Sequence, residues 1–421
     1  MRIESRVVFL CKIARQLLIV IGGVLAVAAC SDGGGGFHLP FDLVDTKFYA
    51  VDTADFNGDG ATDIVFTDRL VYFRWELNYP DWDEDWMTTT ETVIYLQDPD
   101  VPGSFLRQSP HRLVSEVFSI AAGDLDLNTI PDIAVTQTGN NAAGVFIQDL
   151  GSPGQFLPRI DFNATYYPRA VALGELNGDG VNDMAVAGNN LALLLNDAVS
   201  PGSAFSRIFL DVAALSSVAI ADINGDDTAD LAVTTGNTVM VLLQEPAPSV
   251  PGNFSKSSSY PTGVGAADVA IADLNGDSLP DLAVANRGDT NGSVSVLMQA
   301  PFPGGTFLAA DQYLTGIQSV AVKIGDLNAD SLLDLAVANN DETGGSVSVL
   351  LQDQLTQGVF SAAVNYPGMR GPYDLAINDM NGDGLNDLVV ADKSSDPHQW
   401  PYIRYQDINN PGSFLDPVHL P

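Results

Sequence analysis

Short apolar runs rich in alanine, valine and leucine recur along the chain, and pairs of them bracket a nine-residue polar stretch. In one copy, residues 268–272 (DVAIA) and 281–285 (DLAVA) flank the stretch DLNGDSLPD that begins at Asp273. Runs that are apolar at nearly every position predict strands buried on both faces, and the many alanines suit strands crowded near an axis. Residues 293–299 (SVSVLMQ) alternate with period two, which predicts a third strand. A turn ending at Gly305 then leads to Phe307 and a fourth. Each unit therefore reads as an antiparallel meander of strands A to D with an acidic loop between A and B.

Seven such units follow one another. Their loops begin at Asp55, Asp124, Glu175, Asp222, Asp273, Asp326 and Asp379, at spacings of 69, 51, 47, 51, 53 and 53 residues. The period is near that of a four-stranded propeller blade and too long for most helical repeats. The expected fold class is all-β, a seven-bladed β-propeller over residues 37–421. A phenylalanine recurs after each C–D turn, at Phe105, Phe156, Phe205, Phe254, Phe307, Phe360 and Phe414, and reads as a packing plug between neighbouring blades. Residues 37–43 (FHLPFDL) look like 414–420 (FLDPVHL), which makes eight candidate D strands for seven blades. The two ends are expected to meet, one completing a blade and the other lying beside it, so that no sheet edge stays open.

Oxygen-bearing side chains at loop positions 1, 3, 5 and 9, with a backbone carbonyl at 7, can wrap a hard cation where glycine permits the bend. The candidate ligands are Asp55, Asn57, Asp59, Ala61 and Asp63 in the first loop, and Asp124, Asp126, Asn128, Ile130 and Asp132 in the second. Glu175, Asn177, Asp179, Val181 and Asp183 form the third set, and Asp222, Asn224, Asp226, Thr228 and Asp230 the fourth. Asp273, Asn275, Asp277, Leu279 and Asp281 follow, then Asp326, Asn328, Asp330, Leu332 and Asp334, then Asp379, Asn381, Asp383, Leu385 and Asp387. A plain turn needs two such residues, not four at fixed spacing, so several structural Ca2+ sites are expected, with dissociation constants of about 10⁻⁴ M or above. Val284 stands where an EF-hand has its glutamate, and strand follows instead of helix. The second loop departs most, with Leu127 and Thr129 at the glycine positions, and is the candidate for an empty site.

Charge fits this reading. The net charge is −35, from 53 acids against 18 Lys and Arg; the ligand positions of the loops supply 21 of those acids, so the acidity follows substantially from the repeat. Nucleic acid is not an expected partner. With 46% hydrophobic and 17% charged residues, the chain is built to fold.

The first 16 residues hold four cations, an apolar run follows to Val27, and Val27, Ala28, Ala29 and Cys30 come next. The run is too short for a comfortable membrane span and reads as a secretory signal over residues 1–29. The V-A-A-C stretch resembles the bacterial lipobox, which implies lipidation at Cys30 and a membrane held through that lipid anchor. Ser31 after the cysteine implies the outer membrane, and residues 30–36, ending in four glycines, read as a tether.

The DxNxDGxxD hairpins in seven copies resemble the FG-GAP and VCBS-type repeats, the family that includes the integrin alpha-subunit propeller. The resemblance covers about residues 37–421 and implies calcium in the A–B loops of an extracellular adhesion or ligand-binding protein. The Phe-Gly and Gly-Ala-Pro signatures are mostly absent, so the VCBS-type branch is nearer.

In the meander, the A–B and C–D turns share one face of the disc, and the B–C and D–A turns share the other, where loop lengths vary and a ligand is expected. The largest departure is an insertion at about residues 69–91 in the first B–C connection, which holds Trp75, Trp82 and Trp86. Trp400 lies in the corresponding connection of the last blade. Closure of the ring makes these neighbours and forms a candidate face for a protein or glycan; equally, the insertion reads as an added hairpin whose tryptophans pack together. Arg287-Gly288-Asp289 is a short match to a tripeptide that some integrins recognise, and His38, His111, His398 and His419 lack zinc-site spacing. No nucleophile elbow, P-loop or dinucleotide fingerprint occurs. Binding is the favoured function over enzyme action; the alternatives are a carbohydrate hydrolase using acids among 81–85 and a periplasmic envelope-assembly scaffold.

Overall fold

The computed structural model describes residues 16–21, 24–29, 42–78, 81–113, 115–245, 252–288, 291–301, 304–341, 344–393 and 401–420, with backbone alone at 16–21, 24–29, 42–46, 70–78, 81–89 and 255–257. Gln16–Ile21 and Val24–Ala29 pair as an antiparallel hairpin in a sheet of their own. Cys30 and the tether lie outside the described residues.

Seven antiparallel sheets follow in chain order, each with its strands side by side as A, B, C and D. Blade 1 comprises Asp42–Ala54, Asp63–Asn78, Asp81–Gln97 and Phe105–Arg107, with His111–Leu113 also paired to its third strand. Blade 2 comprises Ile120–Gly123, Asp132–Gln137, Ala142–Phe146 and Ile160–Asn163, and blade 3 Ala170–Gly174, Asp183–Ala187, Asn190–Asn196 and Phe205–Ala213. Blade 4 comprises Leu215–Ala221, Asp230–Thr235, Thr238–Gln244 and Phe254–Pro261, and blade 5 Ala266–Ala272, Asp281–Asn286, Ser293–Leu297 and Asp311–Leu314. Blade 6 comprises Ser319–Gly325, Asp334–Asn339, Ser346–Leu350 and Val364–Pro367, and blade 7 Pro372–Asn378, Asp387–Asp392, Tyr402–Arg404 and Val418–His419. The A strands contact one another in order round the axis, and that of blade 7 returns to that of blade 1. The B strands of blades 2, 3, 5, 6 and 7 are buried at every residue, as strands covered on both faces must be.

Apolar packing divides into seven clusters, one for each junction between adjacent blades. A blade is thus held by its neighbours, which is why a repeat of this kind needs the closed ring. The phenylalanine plugs sit in these junctions, and the preceding blade's D strand supplies their partner. Phe307, Phe360 and Phe414 meet Tyr260, Tyr313 and Tyr366 edge-on at 5.3, 5.6 and 5.5 Å. Phe307, Phe360 and Phe414 each form an isolated bridge to a glutamine after strand C, and strand D proper starts about four residues later.

The structure decides two readings that the sequence leaves open. The carboxyl terminus completes blade 7, because Val418–His419 pairs with Tyr402–Arg404; Asp42 and Leu43 belong instead to strand A of blade 1, and residues 37–41 lie outside the described residues. The blade 1 insertion is a continuation of strands B and C, in unbroken register from the Ile64–Tyr95 pair to the Asn78–Asp81 pair. Strand A lengthens with them as far as the Asp42–Phe73 pair. An extension of the ladder keeps the inserted backbone groups hydrogen-bonded, which a long loop would not.

Candidate functional site

All seven acidic loops take one backbone form. Position 4 has positive φ in each, at Gly58, Leu127, Gly178, Gly225, Gly276, Ala329 and Gly382, and so does position 6, at Gly60, Thr129, Gly180, Asp227, Ser278, Ser331 and Gly384. The loss of glycine in the second loop therefore did not change its path.

Side chains explain why. The position 1 carboxylate of Asp55 accepts the amides of Gly58 and Gly60 at 2.7 and 2.8 Å. Asn57 Oδ1 accepts the amide of Asp59, and Asp59 Oδ1 that of Ala61. Asp63, at position 9, is fully buried and accepts the amide of Phe56 at one oxygen and of Gln97, at the end of strand C, at the other. The same pair of bonds recurs at Asp132, Asp183, Asp230, Asp281, Asp334 and Asp387. Burial, reinforced by the carboxylates at positions 1 and 5, pushes Asp63, Asp183 and Asp387 up to about 7, and Asp281 and Asp334 to about 6.

A glutamine or asparagine after strand C joins this brace, and the sequence reading passed over it although it recurs in the text. Gln299 Nε2 donates to the carbonyls of Pro280 in its own loop and Ile223 in the preceding blade's, while its Oε1 accepts the amide of Gly305 in the C–D turn. Asn196 does the same with Asn182, Leu125 and Gly202. The turn presses closely on the loop beside it: a Cβ on Gly358 would stand 3.2 Å from Asn275 Cβ and 2.7 Å from Met298 Cε, at a φ of +80°. Acidic loops and Pro-Gly turns share one face, as expected.

Among the described residues, one loop brings three carboxylates together. Asp124, Asp126 and Asp132 of blade 2 have ligand oxygens within 4.8 Å of one another. Two oxygens each about 2.4 Å from a single ion lie at most about 4.8 Å apart, so hard oxygen donors at this spacing fit a calcium-sized cation. The loop marked out as the candidate for an empty site is thus the one with converging carboxylates. It carries Asp126 at position 3, where the other six have asparagine.

The channel inside the A strands is lined by a second chain of bonds that sequence reasoning missed. Asp374 of blade 7 accepts the amide of Val51 in blade 1 at 3.1 Å. Asp52 of blade 1 accepts that of Ala122 in blade 2 at 2.8 Å, and Ser119 of blade 2 that of Val171 in blade 3. Ser217 of blade 4 donates to Asp268 of blade 5, whose other oxygen accepts the amide of Val322 in blade 6. Lys323 of blade 6 lies 3.7 Å from Asp374 of blade 7. Burial would lower Lys323, but Asp374, Asp268 and Asp52 hold it above the ordinary lysine range, while burial lifts Asp374 to about 6 against the pull of Lys323.

A pocket of about 960 Å³ occupies this channel, lined within by Asp52, Asp268, Lys323 and Asp374 and toward the acidic loops by Leu173 and Ile220. Its mouth lies on the B–C and D–A face, at Tyr49, Phe118, Arg169, Arg287 and Tyr373. Tyr49 meets Phe118 and Tyr373 edge-on at 5.3 and 5.7 Å, and Lys393 Nζ stands 4.6 Å from the Tyr373 ring centroid.

The tryptophans fall unevenly. Ladder register pairs Phe73 with Trp86, Trp75 with Glu84 and Leu77 with Trp82, so positions 75, 82 and 86 lie on one side of the pleated ribbon. Trp400, His398 and Asp289 lie outside the described residues. His111 packs on Phe146 and Phe156, and His419 on Tyr402.

The FG-GAP-like repeat family matches residues 222–284, 273–337 and 326–390, each match running from one acidic loop into the next blade. Residues 222–390 of this seven-bladed propeller therefore carry FG-GAP-like repeats. No curated protein matches the chain. Among solved structures, the exotype rhamnogalacturonan lyase YesX aligns with 12% identity over 90% of this chain and 78% of that one, at a TM-score of 0.44.

Proposed function

We propose that the protein is a calcium-stabilised binding protein, exported and held to the cell envelope by a lipid at Cys30, which takes a protein or glycan ligand on the B–C face. One observation carries the reading: the oxygens of the acidic loops are spent on their own hairpins, while the opposite face opens into a polar pocket. Hydrogen bonds from a loop to itself stabilise a blade, and the lone pairs left over suit a small cation better than a large ligand. The blade 1 ribbon, with three tryptophan positions on one side, extends from the B–C end, and tryptophan is a residue type that anchors partners.

Binding is tested with the full chain on a glycan array and in pull-downs from the organism's own envelope. Trp82→Ala combined with Trp400→Ala is expected to abolish the capture seen with the native protein. Unchanged capture would count against the tryptophan face.

A further inference from the structure

We infer that the mouth of the central pocket receives the acidic end residue of a saccharide, with its carboxylate on Arg169 and Arg287 and its hydroxyls directed inward. This rests on the binding reading above and adds the ligand's chemistry. The protein has a net charge of −35 and only 18 Lys and Arg, yet three cations gather round Tyr373. Lys393 lies over its ring, and the charges of Arg287 and Arg169 both act on its hydroxyl. Both arginines are exposed, and neither guanidinium makes an ion pair or hydrogen bond among the described residues. Glu116, the carboxylate at the same rim, is held by Arg69 at 2.9 Å. Arg169 and Arg287 line the same mouth, and cations exposed at one rim favour an anionic group there.

Below the rim the polarity reverses. Asp52, Asp268, Asp374 and Ser119 face the cavity and act as acceptors for the amides of neighbouring blades, with a single lysine among them. Carboxylate oxygens with spare lone pairs suit hydroxyl donors and repel a second anion. A ligand acidic at its outer side and rich in hydroxyls at its inner side meets both halves. An acidic peptide, with a carboxylate on each side chain, would bring negative charge against Asp268 and Asp374. Phe118 and Tyr49 supply apolar surface at the level where the carbon face of a sugar ring would lie, and the volume is that of a small-ligand site.

The test is calorimetric titration of the full chain, in detergent with calcium. The probes are a trisaccharide ending in galacturonate or glucuronate, the neutral trisaccharide of the same linkage, and hexaglutamate. The acidic saccharide should bind more tightly than the neutral one. Arg169→Gln combined with Arg287→Gln should weaken it by roughly tenfold or more, with neutral binding and the melting temperature unchanged. Equal affinity for acidic and neutral probes, or an arginine double variant that binds like the native protein, overturns the inference. Preference for hexaglutamate overturns it in favour of an acidic peptide. Failure of all three probes while the ligand captured through the tryptophan face still binds overturns it and leaves the binding reading standing.

Discussion

At the scale of one residue, the recurring lesson is that buried carboxylates here act as acceptors for backbone amides. Position 9 of each acidic loop does this twice, which explains why an aspartate sits at the start of every B strand. Asp68 is less fully paired. It lies opposite Glu91 in the blade 1 ladder, both are buried, and Asp68 Oδ1 has no hydrogen-bond partner among the described residues. Burial, helped by the Glu91 charge and opposed by Arg107, pushes Asp68 up to about 8. A carboxyl whose folded pKa exceeds its unfolded value contributes stability that is complete below the unfolded pKa and lost as pH rises through the folded one. Asp68→Asn should therefore gain stability over the native protein as pH rises from about 4 to about 8, by up to about 1.4 kcal/mol per pH unit. Urea unfolding across that range would show it, and a pH-independent difference would contradict it.

At the scale of the element, the plug and the ribbon differ in how far their text can be read. A phenylalanine after every C–D turn is a local pattern, and its reading as a packing plug holds: Phe360 is buried and meets Tyr313 of the blade before it, whose hydroxyl accepts the Phe360 amide. Phe360→Ala should cost about 3–4 kcal/mol, while Tyr313→Phe, which removes only a 3.4 Å hydrogen bond, should cost about 1 kcal/mol; denaturant midpoints of the two variants would check the order. The insertion in blade 1 was legible as an insertion and read equally as a binding loop or an added hairpin, but its tryptophans and acids lack the clean alternation that would show it continuing strands B and C in one ladder. Pairing with a strand A that is itself lengthened is what makes it a ribbon.

For the whole molecule, the loops make metal and ring stability one question. A cation among the converging carboxylates of blade 2 would relieve their mutual repulsion, so on the proposed reading chelation of calcium should lower the melting temperature and added calcium restore it. Identical melting curves with and without chelator would sink the calcium reading. The sequence by itself determined the blade, its sevenfold repetition and the seven acidic hairpins, because each is written within about fifty residues and repeated, so local spacing carries it. Tertiary structure alone decided which end closes the ring, that the loop expected to be empty gathers the carboxylates, and that a mouth with two arginines opens above an acidic pocket. Those depend on groups far apart in the chain, such as Asp374 and Val51, which lie 323 residues apart and meet only across the closing seam. A single-chain pattern has no period at that distance; the circle formed by seven blades supplies it.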